Sequence, residues 1–222
     1  MSVLDRPGPE PDDVVAYGTD PDQITEVWHC EGTHVVLLHG GFWRPEWDRT
    51  HLRTLAGALR DAGYRVALPE YRRVPGMPDL MTADVTQVLA GLEPAILVGH
   101  SAGGHLALWA ANKARAVLAL APVADLVLAE QEDLDIGAVR DFLGGPANDR
   151  PDLDPIRLAP SNVPVTLLHG TADDRVPLQV SEVYAAAHPE ARLVTLPGAD
   201  HFDLIDPASQ VWPVLLEELA KL

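Results

Sequence analysis

Cysteine occurs once in these 222 residues, at Cys30, so no intrachain disulfide staples the fold, and such sparing use fits a reducing, cytoplasmic setting. Lysine occurs only as Lys113 and Lys221, and 16 basic residues stand against 33 acidic ones for a formal net charge of −17. A surface of that sign repels phosphate backbones, so nucleic acid is not an expected partner. No apolar run reaches the length of about eighteen residues that a membrane span needs. The first thirteen residues are acidic and proline-rich, where a secretory leader would be basic and then apolar, and residues 1–13 read as a flexible arm. The nine histidines include no H-E-x-x-H or comparable ligand spacing, so neither a metal nor a cofactor is expected. Internal repeats and low-complexity tracts are also lacking.

With 47% hydrophobic residues over this length, the chain can bury the core of one domain over residues 14–222. Apolar runs bounded by turn residues predict strands near Val14 to Tyr17, Ile24 to His29, Val35 to His39, Tyr64 to Leu68, Ala95 to Val98, Ala116 to Leu120, Val165 to Leu168 and Arg192 to Leu196. Between several of them lie helical patterns. One runs from about Asp48, a capping residue, to Ala62, with Gly63 as terminator; another spans Asp79 to Leu92; a last one spans Pro207 to Leu222. Strands alternating with helices predict an α/β fold: a mostly parallel, doubly wound sheet flanked by helices. Residues 121–162, rich in Asp, Pro and Gly, interrupt the alternation and read as a small cap or an ordinary connection.

The chemistry is carried by four strand ends. Gly99-His100-Ser101-Ala102-Gly103 follows an apolar strand and precedes a helix-forming stretch, the context that lifts a serine hydroxyl clear of a sheet on a tight turn. A serine is a poor nucleophile at neutral pH and needs a base, an acid to orient it, and donors for an oxyanion. His39-Gly40-Gly41-Phe42-Trp43 supplies a glycine turn with backbone N–H groups, the loop after the Val165 strand carries Asp173 and Asp174, and the loop after the Arg192 strand carries His201. All sit at the carboxyl ends of strands, where open α/β sheets gather their chemistry. Ser101 as a mere turn residue, and His39, His100, His105 and His169 as packing or loop-bracing histidines, are the plain structural readings of the same positions.

These motifs resemble the α/β-hydrolases along the whole chain. His39-Gly40-Gly41-Phe42-Trp43, Gly99 to Gly103 and Asp200-His201-Phe202-Asp203, with Tyr71-Arg72-Arg73-Val74-Pro75, resemble the kynurenine formamidase (arylformamidase) branch and the neighbouring hormone-sensitive-lipase-like esterases. The resemblance implies the triad Ser101, Asp173 and His201, since the first aspartate of an H-G-x-x-D-x-x-V-P loop is the acid in this fold. It implies an oxyanion hole from the N–H groups of Gly41, Phe42 and Ala102. His39 braces that turn, and His39 and Trp43, with Phe42 and Trp47 beside them, are expected near the substrate pocket. Phe42 stands where lipase-like relatives carry a third glycine, which favours the formamidase pattern. The activity implied is hydrolysis of a small-acyl ester or amide through an acyl-enzyme, such as N-formylkynurenine to kynurenine and formate. Two alternatives are a short-chain carboxylesterase and a non-catalytic, ligand-binding pseudo-hydrolase. The partner expected is a small-molecule ester or formamide, not a membrane; the oligomeric state is not legible.

Overall fold

The structure is a computed structural model that describes residues 2–222. A hairpin of β1 (Asp13–Ala16) and β2 (Ile24–Trp28) precedes β3 (His34–Leu38), and α1 (Arg53–Asp61) leads to β4 (Arg65–Pro69). Then α2 (Pro78–Ala90), β5 (Ile96–His100), α3 (Ala102–Trp109) and β6 (Ala116–Leu120) alternate. After β6 come two short helices, α4 (Leu126–Gln131) and α5 (Ala138–Leu143), and then β7 (Val165–Gly170), α6 (Leu178–Ala187), β8 (Arg192–Leu196) and α7 (Trp212–Leu219). The eight strands form one sheet in the order β1-β2-β4-β3-β5-β6-β7-β8. Only the pairs β1 with β2 and β2 with β4 are antiparallel; the others are parallel.

The central strands are continuous apolar runs because both of their faces are covered. In β3, Val36 and Leu38 point to one face while Val35 and Leu37 point to the other, and in β6 Val117 and Ala119 oppose Ala116, Leu118 and Leu120. The first face is covered by α2, α3, α6 and the two short helices, the second by α1 and α7. Helix α1 buries Leu55, Ala56 and Leu59, the three- and four-residue spacing of one helical stripe. It is entered through a 3₁₀ turn, Arg49–Leu52, in which the Asp48 carboxylate accepts from Thr50 N at 2.9 Å. Gly63, at φ +96°, turns the chain out of α1 into β4.

The last helix begins at Trp212, five residues later than the apolar pattern from Pro207 predicts. Asp206 is held by a two-pronged contact with Arg6, at 2.6 and 2.9 Å, and itself accepts from Ala208 N. That pairing fixes residues 206–209 as a turn, and Pro213 then sits in the first turn of α7, where it lacks no needed hydrogen bond. The same contact describes the amino-terminal segment, expected as a flexible arm: Val3 is buried, Arg6 holds Asp206, and Arg53 reaches Glu10.

Residues 121–162 carry α4, α5 and two 3₁₀ turns. Their anchor is Asp154, fully buried, whose Oδ1 accepts from Leu126 N at 2.9 Å at the start of α4, while Oδ2 has no partner among the described residues. Burial pushes this carboxyl up to about 6. A raised carboxyl favours the folded state below its ordinary value and loses that contribution as pH rises through about 6. Asp154→Asn keeps the oxygen that Leu126 uses and cannot ionise. It is expected to raise Tm near pH 8, by the equivalent of roughly 2 kcal/mol, with the gain gone near pH 4. Thermal melts of both proteins across that range check this; an equal gain at both ends would refute the burial argument. No helix among the described residues is long and apolar enough to cross a membrane.

Candidate active site

Because β3, β5, β7 and β8 run parallel, the turns after them lie along one edge of the sheet. Ser101 stands at the apex of the β5–α3 turn with φ +57° and ψ −118°, a strained conformation for a residue with a side chain. Close packing enforces it. A Cβ on Gly99 would stand 2.2 Å from Gly103 O, and one on Gly103 would stand 2.1 Å from Leu38 O, so the elbow lies directly on the end of β3. Ser101 N donates to Leu120 O at 2.9 Å, while its carbonyl accepts from His105 N and Val123 N. Its Oγ makes no hydrogen bond to a described residue.

Asp173, not Asp174, reaches His201: Oδ2 accepts from His201 Nδ1 at 2.7 Å. Asp173 Oδ1 accepts from the backbone N–H of Arg175 and Val176 at 2.9 and 2.8 Å. Burial alone would raise this carboxyl, but hydrogen bonds from His169, His201 and Val176 N–H outweigh it and hold it well below the usual carboxylate range. His169 is locked as well. Its Nε2–H is shared between Val176 O at 2.9 Å and Asp173 Oδ2 at 3.4 Å, and its Nδ1 accepts from Ser181 Oγ at 2.7 Å. Asp174 points to solvent with only Arg175 nearby, at 3.8 Å.

His201 is buried, its Nδ1 engaged by Asp173, and its Nε2 unpartnered among the described residues. His100 Nε2–H donates to His201 O at 3.0 Å and steadies that loop from behind. Ser101 and His201 line one cavity of about 140 Å³, together with Gly41, Phe42, Trp47, His51, His100 and Phe202. Leu4, Asp135 and Arg175 complete its wall. Burial holds His51 down to about 4 and His100 well below its ordinary value, so both imidazoles are neutral at neutral pH.

The glycine turn after β3 has three consecutive residues in the left-handed region: Gly41 at φ +104°, Phe42 at +49° and Trp43 at +59°. Among the described residues, the N–H groups of Gly41, Phe42 and Ala102 donate to nothing. Three unpaired donors beside a buried serine are a place where negative charge can be held. His39 lies beneath them and, contrary to the pocket expectation, outside the cavity: it is fully buried under the turn. Its Nδ1 lies 2.9 Å from Gly40 O, its Nε2 lies 2.9 Å from Glu70 Oε1, and its ring stacks on Tyr71, whose hydroxyl donates to His39 O. Burial and then the Arg73 charge lower this imidazole to about 3.

Trp43 is placed differently from the sequence expectation, while Trp47 does reach the cavity. Trp43 is turned into the core, stacked on Phe142 at 4.5 Å, with its Nε1–H donating to His105 Nδ1. Trp47 instead lines the cavity and stays 44% exposed. The positive φ run ends on Trp43, which faces inward, and the residue four positions on faces the opening. His105 joins this inner layer and ties α3 to residues 121–162 through Leu153 O at 2.8 Å. Sequence reasoning did not single out Leu4, His51, Asp135 or Arg175, which come from distant segments and carry no shared spacing; only the basic residue directly after Asp173-Asp174 was a signal within reach. No cluster of three or more His, Cys, Asp or Glu able to hold a metal occurs among the described residues.

Residues 35–156 match the family model described as Alpha/beta hydrolase family. No curated protein sequence matches the chain. Among solved structures it is similar to Thermogutta terrifontis esterase 2 phosphoramylated by tabun, with TM-score 0.77 and 20% identity over 96% of this chain and 94% of that one. The same esterase with propionate bound superposes at TM-score 0.75, with 20% identity over 94% and 92%. Esterase B from Lactobacillus rhamnosis, with a tributyrin phosphonate, gives TM-score 0.77 and 21% identity over 96% and 86%. At these identities the likeness is one of fold: a mostly parallel eight-stranded sheet between two helical layers.

Proposed function

The chain belongs to the alpha/beta hydrolase family, and from that premise we propose that it is a serine hydrolase that cleaves small-acyl esters through an acyl-enzyme. The observation that carries this reading is the His201 imidazole, fixed by Asp173 at 2.7 Å through Nδ1 and left with a free Nε2 on the cavity it shares with Ser101. In the reaction His201 Nε2 takes the Ser101 proton as Oγ attacks the carbonyl carbon. The tetrahedral oxyanion is held by the N–H groups of Gly41, Phe42 and Ala102. On collapse, the proton passes from His201 to the leaving oxygen or nitrogen, and water activated by the same nitrogen then releases the acid. The propionate-bound and tributyrin-phosphonate neighbours support a short acyl group, as does a cavity of about 140 Å³. Residues 121–162 act as a small cap, contributing Asp135 to the wall.

A second reading, an arylformamidase, is favoured by the aromatic rings of Phe42, Trp47 and Phe202 on that wall, which suit an aryl amine leaving group with a formyl acyl group. One experiment tests both. Rates on a chain-length series of p-nitrophenyl esters are compared with the rate on N-formylkynurenine, for the wild type and for Phe42→Gly. An optimum at acetate to butyrate is expected, moving to longer chains in Phe42→Gly, because each further CH₂ needs buried space to gain its ~0.8 kcal/mol. A wild-type optimum at about eight carbons or more would overturn the small-acyl reading, and turnover of esters with none of the formamide would leave the esterase reading alone.

A further inference from the structure

The cavity wall has two charged side chains, and they differ in how far they are neutralised. Asp135 Oδ2 accepts from Arg44 Nε at 2.6 Å, so its charge is answered. Arg175 is met only by Asp174, at 3.8 Å, and both of those side chains are more than half exposed. The Arg175 guanidinium lies 5.9 Å from the Phe202 ring centroid, and the Phe202 ring meets the His201 ring edge to face at 5.3 Å. Its backbone is fixed, because Arg175 N–H donates to Asp173 Oδ1 at 2.9 Å. A cation is therefore held one ring beyond the general base in a chain whose net charge is −17.

Resting on the proposed serine-hydrolase reading, we infer that Arg175 is a specificity-determining residue that selects substrates whose leaving group bears a carboxylate. The side of the cavity is set by the chemistry. The imidazole that protonates the departing oxygen or nitrogen must face it, and Arg175 lies over Phe202, the ring that meets that imidazole edge to face. A guanidinium presents two parallel N–H donors to a carboxylate, and Phe202 offers a flat surface for the aryl ring that carries it. His51 and His100 do not compete for the anion, since burial keeps them neutral.

The test uses two esters with the same acyl group and nearly the same shape, 3-acetoxybenzoate and its neutral methyl ester. The ratio of their kcat/KM values is measured for the wild type, Arg175→Met and Arg175→Lys. All three keep the backbone N–H that Asp173 uses. The wild type is expected to favour the anionic ester, Arg175→Met to lower the ratio by about tenfold, chiefly through KM, and Arg175→Lys to recover part of it. An unchanged ratio in Arg175→Met, or a wild type that favours the neutral ester, overturns the inference while leaving the hydrolase reading standing. Hydrolysis of neither ester overturns both.

Discussion

Ser101→Ala should lose ester hydrolysis by about a million-fold, the loss that removing the nucleophile alone produces in subtilisin, while its melting temperature stays that of the wild type. The second half of the expectation follows from local structure. Ser101 Oγ makes no hydrogen bond to a described residue, so alanine forfeits none, and the cost of φ +57° is already borne by the close packing of Gly99, Gly103 and the end of β3. A serine-directed phosphonate adds one inhibitor mass to the wild type and nothing to the variant. If Ser101→Ala were labelled at the wild-type rate, the nucleophile would lie elsewhere.

Asp173→Asn should cost about ten-thousand-fold in kcat, by analogy with the same substitution in serine proteases, whereas Asp174→Asn should stay within about twofold, as expected for an exposed charge with a distant partner. The asparagine oxygen can still accept from the N–H groups of Arg175 and Val176, which leaves the amide nitrogen facing His201. That nitrogen donates, so Nδ1 must carry the lone pair and Nε2 the proton, the tautomer that cannot take a proton from serine. A pH signature accompanies the loss. Hydrogen bonds depress the Asp173 carboxyl, so its contribution to stability is present above its ordinary value of 3.8 and disappears as pH falls through the lower folded one. Melts of Asp173→Asn should fall less steeply in acid than those of the wild type. The reverse activity ranking of the two variants would transfer the acid role to Asp174.

The strands around the elbow were legible because each is an unbroken apolar run, and a run buried on both faces by helices has few other destinations. Ser101, Asp173 and His201 were legible as positions at strand ends for the same reason: parallel pairing puts those ends on one edge. What pattern reading could not supply were the consequences of contacts remote in sequence. Arg6 meets Asp206 across 200 positions, and that pair, not helix propensity, delays α7. Trp43 and Trp47 have similar chemistry and neighbouring positions; their division between core and cavity is set by three consecutive left-handed backbone angles that local propensity disfavours for Phe and Trp. The place of Arg175 on the cavity wall, over the Phe202 ring, is a property of what surrounds it, which no window of sequence contains.

Arg44 joins two of these parts in one residue. Its backbone N–H closes the turn after β3 on Gly41 O at 3.0 Å. Its guanidinium holds Asp135 Oδ2, Asp141 Oδ2 and the carbonyls of Asp135 and Ile136, at 2.6 to 3.2 Å. Residues 135 and 136 are themselves in the left-handed region and rely on such outside support. Displacing residues 133–137 therefore breaks three hydrogen bonds to Arg44 or drags the donor turn along. In thermodynamic terms the two segments share a coupling free energy, and coupling is reciprocal. Whatever factor an anion on the Gly41 turn gains from a closed Asp135–Ile136 segment, that segment gains in closure from the anion.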